Sequence, residues 1–297
     1  GFSKIFEKCY LNQMLDHVNK ILSKYISAYR KGHSCQNVLM KLTEEWRENL
    51  DKNKVVGALL IDLSKAFDCL PHDLLIAKLE AYGFQKETLN LLYSYLTNRK
   101  QAVKIKDTTS DFLDILSGVP QGSILGPILF NIFLNDMFLF TKSTNPNNFA
   151  DDNTLSAFKD TTEELIKTLE VGGKEAIDWL ELNKMIANPD KFKAIVLNRN
   201  RSDTSNIILK INNKEIKTSP WVKLVGIKLD NRLSFVLHIS EIIKTAGAKL
   251  NAIKRLQNRL DMIDRKILIN AHVMSHLNYC STVWHFCGKV EIHKLEK

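Results

Sequence analysis

Apolar residues recur at helical spacing over residues 11–26 and again over 38–50, with a basic turn, YRKGHS, at 29–34 between them. The period then changes. VVGALLID, residues 55–62, is a β-branched apolar run ending in a carboxylate, the pattern of a buried strand. Asp73 can cap a helix reaching residue 82, which Gly83 can end. Residues 101–105 and 111–116 read as two short strands that pair, and SGVPQGS, residues 117–123, is a Gly/Pro loop feeding an apolar helix over 124–138. Residues 149–158 hold a strand–turn–strand unit. The residues ahead of it, 145–148, are polar and include Pro146, so its first strand is expected to be short or frayed. A helix follows over 161–185, with a soft point at Gly172 and Gly173, and strands over 194–197 and 207–211. Strands and helices in this mixed order predict an α+β fold.

Toward the C-terminus, Ile239, Ile242, Ile243, Ala246, Leu250 and Ile253 fall on one side of a helix, and Lys244, Arg255 and Arg259 fall opposite. Charge gives this face weight. The 297 residues carry a net charge of +9, and from residue 231 onward eleven Lys and Arg stand against five acids. An anionic partner follows, nucleic acid or an anionic surface. No apolar run approaches the roughly 18 residues of a membrane span, which sets a membrane role aside. The chain opens at Gly1 without an initiator methionine, as expected of a segment of a longer protein. Five scattered cysteines without a CxxC pair predict reduced thiols in an intracellular chain. His272, His276 and Cys280 have helix-face spacing that zinc could use, but NYCSTVW reads as packing.

Two adjacent acids, Asp151 and Asp152 in FADD, raise a question of charge. Alone, such a pair is a surface turn. Asp62 changes that, because a strand ending in a carboxylate delivers it to the rim of a sheet. If the Asp151–Asp152 turn lies on the neighbouring strand, three carboxylates converge, at a cost of several kcal/mol unless something screens them. All-oxygen ligands favour Mg²⁺ or Mn²⁺, and two such ions about 4 Å apart serve in-line phosphoryl transfer.

LLIDLSKAFD, SGVPQGSILGPILFN and FADD, in this order and at these separations, resemble the reverse transcriptases of non-LTR retrotransposons, the LINE-type, jockey-like group. SKIFE, YRKGHS, NPDKFK, LVGIKLDNRLSFVLHI and NYCSTVW extend the resemblance over nearly the whole chain. It implies a right-hand polymerase: fingers over 1–54 and part of 84–116, a palm over 55–83 and 117–217 with a small antiparallel sheet backed by helices, and a helical thumb from 230. As domains, this is fingers and palm over 1–229 and a basic, truncated thumb over 230–297. The implied activity is RNA-directed DNA polymerisation in retrotransposition, adding dNTPs to a DNA primer on an RNA template. Implied surroundings are a flanking endonuclease segment of a longer polyprotein and a ribonucleoprotein of nucleus and cytoplasm.

Site residues follow from the same resemblance. Asp62 and Asp151 would be metal ligands for two Mg²⁺ or Mn²⁺ ions, with Asp152 supporting them. The backbone of Leu63, Ser64, Lys65 and Ala66 would lie against the triphosphate, and Phe67 would exclude a 2′-hydroxyl. Gln121 and Gly122 would hold a template base or the incoming nucleotide, Arg30 and Lys31 would reach its phosphates, and Lys191 would protonate pyrophosphate. Lys244, Arg255 and Arg259 would track the template–primer backbone. Two departures stand out: the polar lead-in to FADD, and Phe192 after Lys191 where the family prefers Thr. They favour the alternative, an inactive RNA-binding relic. A maturase-like splicing cofactor would share the fold but normally carries an additional RNA-binding extension.

Overall fold

In a computed structural model, which describes residues 2–63, 66–199, 204, 206–256 and 258–296, the run VVGALLID becomes strand β1 (Val55–Asp62). Two long helices precede it, α1 (Phe2–Ile21) and α2 (Cys35–Asp51). After it come α3 (His72–Ala81) and α4 (Lys86–Leu96). A narrow ribbon then pairs β2 (Lys100–Gln101) with β5 (Leu113–Asp114), and β3 (Lys104–Ile105) with β4 (Thr108–Thr109). Helices α5 (Gly126–Leu134) and α6 (Met137–Phe140) lead to the hairpin of β6 (Asn145–Phe149) and β7 (Asp152–Lys159). Helix α7 (Thr162–Leu182) returns the chain to β8 (Lys193–Leu197).

The sheet runs β6-β7-β1-β8, antiparallel throughout. Strand side chains alternate between faces, and both faces are buried. Val55, Leu59 and Ile61 join one core with residues of α1, α3, α5 and α7. Val56, Ala58 and Leu60 join a second core with Leu39, Leu42 and Trp46 of α2. That core is completed by residues 222–242 and 280–287 beyond the sheet, while Leu209, Ile211 and Ile216 join the first core. β9 (Ile208–Ile211) pairs with β10 (Lys214–Lys217), and β11 (Trp221–Leu224) with β12 (Ile227–Asp230). Then follow α8 (Val236–Arg255), α9 (Met262–Ile269), α10 (Ser275–Asn278), α11 (Ser281–Trp284) and α12 (Lys289–Glu296). Single bridges close the sheet's flanks: Ile26 to Asn148 on β6, and Thr218 to Ala194 on β8.

Several expectations are corrected. The first helix begins at Phe2 and stops at Ile21, earlier at both ends than its apolar pattern suggested: Phe2, Ile5 and Phe6 are exposed, so no inward stripe marks its start, and Leu22 and Ile26 are buried from the non-helical segment beyond its end. Pro71, not Asp73, caps α3, and Asp73 sits in its first turn, where an acid suits the helix dipole. The apolar helix over 124–138 is broken into α5 and α6. The polar stretch Asn145–Phe149 is a full strand, so the hairpin is not frayed. Pro146 is tolerated because β6 is at the edge. Gly172 and Gly173 are no soft point either. A Cβ on Gly172 would come 2.4 Å from Thr144, and one on Gly173 would come 2.4 Å from Ile211 and 2.9 Å from Leu59. They let α7 lie close to the sheet.

One long-range tie was not legible. Glu7, only 4% exposed on α1, accepts hydrogen bonds at Oε2 from the amides of Ile124 (2.6 Å) and Leu125 (3.3 Å), and at Oε1 from the Ser3 hydroxyl (3.0 Å). It thus satisfies amides at the start of α5, where helix N–H groups lack partners. Burial opposes its ionisation, but the donated hydrogen bonds win and hold the carboxyl below its ordinary value of 4.5. Its contribution is therefore complete above that ordinary value and lost as pH falls through the folded one. Glu7→Gln should lower unfolding free energy at pH 7 by about 1–3 kcal/mol, and the deficit should narrow on acidification. Chemical denaturation at pH 7 and pH 3.5 checks both.

Candidate active site

The β1–β7 register places Asp62 directly opposite Asp152. Cross-strand partners have Cα atoms about 4.5–5.5 Å apart and share a face. Asp151 sits one residue back, in the two-residue turn that joins Phe149 to Asp152. On the other side of β1, Leu60 pairs with Lys193. The pairing ends there, and Lys191 lies beyond it in the 3₁₀ turn Pro189–Lys191, which packs near β1. The sheet itself brings Asp62 and Asp152 together, far apart as they are in the chain.

The turn that carries Asp151 is held from below. Ala150 has φ +57°, the left-handed region that disfavours residues with a Cβ. Asn148 and Asn153 face each other across the hairpin and are both buried. Asn148 Nδ2 donates to Ala150 O (2.6 Å) and to Asn153 Oδ1 (2.9 Å), and Asn153 Nδ2 donates to Asp151 O (3.2 Å). The Asn148 backbone exchanges hydrogen bonds with Tyr25 and Ser27. The polar residues that looked like a weak strand are the turn's support. Sequence reasoning missed them, although polar residues at facing strand positions were a usable signal.

The three aspartates do not close into a preformed nest. Among the described residues, no three His, Cys, Asp or Glu side chains converge to hold a metal ion. Unscreened carboxylates brought together repel. Asp152 Oδ2 instead accepts from the Val225 amide at 3.3 Å. Partial burial raises the Asp152 pKa, the charge of Asp151 and more weakly that of Asp62 add to this, and the Val225 amide opposes it. The donor set still fits a hard divalent cation: oxygen ligands only, on neighbouring positions, with a repulsion such an ion would relieve.

Next to the carboxylates, the SGVPQG loop is fastened to the segment after β1. Gly118 N donates to Leu70 O (2.7 Å), Val119 N to Phe67 O (2.9 Å) and Ser117 Oγ to Asp68 O (3.0 Å). A Cβ on Gly118 would lie 2.6 Å from the Asp68 carbonyl oxygen, and φ is +86° there, so glycine is required on both counts. Gln121 Nε2 donates to Asp68 Oδ1 at 3.0 Å. Phe67 packs on Phe130, with centroids 4.4 Å apart, and meets Tyr29 edge-on at 6.5 Å. Phe67, Tyr29, Gln121 and Gly122 line a cavity of about 350 Å³. Across the loop, Arg99, Lys100 and Asp68 line a second, polar one of about 670 Å³. Tyr29 was not anticipated. Its phenol pKa is raised by burial and then by the charge of Asp151.

Other expected residues are placed unevenly. Arg30 Nη1 donates to Ser23 O and Ile26 O, both at 3.0 Å, so it braces its own loop, and Lys31 is exposed beside it. Leu63 and Ala66 are buried, while Ser64 and Lys65 lie outside the described residues. On α8, Ile239, Ile242, Ala246 and Ile253 are buried, and Lys244 and Arg255 are exposed. Arg259 is not on that helix, which ends at Arg255. His272 and His276 are exposed and Cys280 is buried, consistent with packing.

Asp152→Asn gives a check on the charge at this site. With its folded pKa above the ordinary 3.8, the carboxylate costs stability at neutral pH, and the cost vanishes once both states are protonated. In metal-free protein the substitution should raise the thermal midpoint at pH 7, with the gain shrinking toward pH 4. A gain independent of pH would show that charge is not its source.

The chain matches the reverse transcriptase (RNA-dependent DNA polymerase) family model over residues 2–229. It is 24% identical to a probable RNA-directed DNA polymerase from transposon BS of Drosophila melanogaster, over 100% of this chain and 34% of that protein. It is 25% identical to the RNA-directed DNA polymerase from mobile element jockey of the same species, over 99% of this chain and 33% of that one. The chain thus spans about a third of the length of these relatives. Telomerase from Candida tropicalis, solved with a fragment of telomeric RNA, superposes with a TM-score of 0.54 at 13% identity, over 94% of this chain and 46% of that one, a likeness of fold alone. With aspartates in register at the end of an antiparallel sheet, and with this match over most of its length, the chain belongs to the reverse transcriptase family.

Proposed function

We propose that this chain is the polymerising part of a retrotransposon protein, extending a DNA primer on an RNA template with deoxynucleotides. The observation that carries the reading is the register pair Asp62–Asp152 with Asp151 in the adjoining turn, in a chain of this family. The full strand formed by Asn145–Phe149 removes one of the two departures that had favoured an inactive relic, and Phe192 remains the other. Asp62 and Asp151, with Asp152 in support, would hold two Mg²⁺ or Mn²⁺ ions. Bound there, such ions supply charge screening for the leaving pyrophosphate and a lowered pKa for the attacking hydroxyl.

The chain's own groups have distinct tasks in this reading. Phe67, stiffened by Phe130, presents a flat wall to the cavity it shares with Gln121 and Gly122. A ribose 2′-hydroxyl would collide with that wall, and a deoxyribose would not. The backbone of residues 63–66 lies against the triphosphate. Lys191, in the 3₁₀ turn before β8, protonates pyrophosphate. Arg30 can turn to the phosphates only by leaving the carbonyls of Ser23 and Ile26, with Lys31 as its neighbour. Residues 230–297 act as a thumb whose Lys244, Arg255 and Arg259 follow the duplex backbone. The relatives' greater length supports a parent protein with further parts, and we place an endonuclease segment among them.

Mg²⁺-dependent dNTP incorporation on an RNA template with a DNA primer tests this. Wild type should extend the primer, and Asp151→Ala should fall to background while still binding the duplex. No extension by wild type, with binding intact, sinks the reading. Phe67→Val should raise ribonucleotide use relative to deoxynucleotide use by about 10- to 100-fold, the scale of a steric discrimination, as measured by kcat/KM for each.

A further inference from the structure

The tip of the β11–β12 hairpin touches Asp152 from the second core. Leu224 pairs with Ile227, so the connection is the two residues Val225 and Gly226. Their φ values are +44° and +82°, both positive, as in a type I′ turn. Glycine suits this and a β-branched valine does not. Valine in the left-handed region is an outlier that persists only where surrounding structure imposes it. Yet it is the Val225 amide that donates to Asp152 Oδ2 at 3.3 Å.

What imposes it lies some 54 residues further on. The Tyr279 hydroxyl donates to Val225 O at 2.9 Å. Its ring lies against Gly226 so closely that a Cβ there would be 3.2 Å from the ring edge. Tyr279 is itself anchored. Its carbonyl accepts from Trp284 Nε1 at 3.2 Å, and Trp284 is 6% exposed in the second core. The following helix, α11, meets α2 where the Thr282 hydroxyl reaches Met40 sulfur at 3.3 Å. Tyr279 thus connects a rigid platform to the turn, and the turn connects to Asp152.

We infer that Tyr279 is a positioning residue: it clamps the strained Val225–Gly226 turn so that the Val225 amide stays aimed at Asp152. Only the kinetic half of this inference rests on the polymerase reading; the clamp itself does not. Substituting Tyr279→Phe keeps the ring and removes the hydroxyl. In metal-free protein, amide hydrogen exchange at Val225 and Gly226 should then accelerate about three- to tenfold, the size of one net hydrogen bond. Exchange in β1 and the thermal midpoint should be little changed. In primer extension, kcat should fall by a similar factor while the primer–template Kd and the KM for dNTP hold. Val225→Asn in the Tyr279→Phe background gives the turn the Asn-Gly pair it prefers, and both exchange and kcat should recover. A residue with a merely structural role would not be rescued by that change.

Wild-type exchange rates at the hairpin tip in Tyr279→Phe overturn the clamp. Faster exchange with unaltered kcat, or a double variant without recovery, overturns the positioning role. If wild type extends no primer, the polymerase reading and the kinetic half fail together, and the exchange measurement alone decides the clamp.

Discussion

Everything at the end of this sheet follows from one forced juxtaposition, Asp62 opposite Asp152 in the β1–β7 register. Strand pairing has a period of two, so a slip by one residue would send one of the two carboxylates to the opposite face. The slip is prevented because β1 is buried on both faces and paired on both edges. Each alternate residue has its own core to enter. Apolar burial, at about 25 cal/mol per Å², thus holds two like charges side by side that would otherwise separate. The stability of the sheet sustains a local arrangement that is unfavourable by itself.

The surrounding chain works to keep that arrangement in one geometry. Asn148 and Asn153 hold the turn of Asp151 from within the sheet. The Val225 amide receives Asp152 from the second core. The hydrogen bonds between the SGVPQG loop and residues 67–70 fix Phe67 and Gln121 relative to each other. Glu7 then ties the start of α5 to α1, so the loop is anchored at its far end too. These are mostly single polar contacts between segments distant in the chain. Each is individually small, and together they make the site rigid.

How far the sequence revealed this depended on the kind of signal. The β1 strand, the helices α2 and α7 and the apolar face of α8 were legible because burial imposes a period on many residues at once. The pairing of Asp62 with the FADD acids was legible as chemistry, since charges in such places call for a partner. The strand Asn145–Phe149 misled, because its asparagines are buried for hydrogen bonding, which no hydropathy pattern registers. The β11–β12 hairpin carries Val225 where a turn signal would be asparagine, so its tip had no local mark. Glu7, Tyr29 and Tyr279 act as single residues through long-range contacts, and a single residue has no periodicity to betray it.

The bridges on the outer strands have a consequence for self-association. An open flank of a sheet offers unpaired N–H and C=O groups to any extended chain that drifts alongside. Here the chain segment at Ile26 occupies β6 beside Asn148, and Pro146 withdraws one donor from the same strand. Thr218 and Ser219 occupy β8 beside Ala194. Short pieces of the protein's own backbone therefore act as plugs. The four-stranded sheet can present its acids at one end without inviting a second molecule to add a fifth strand along its length.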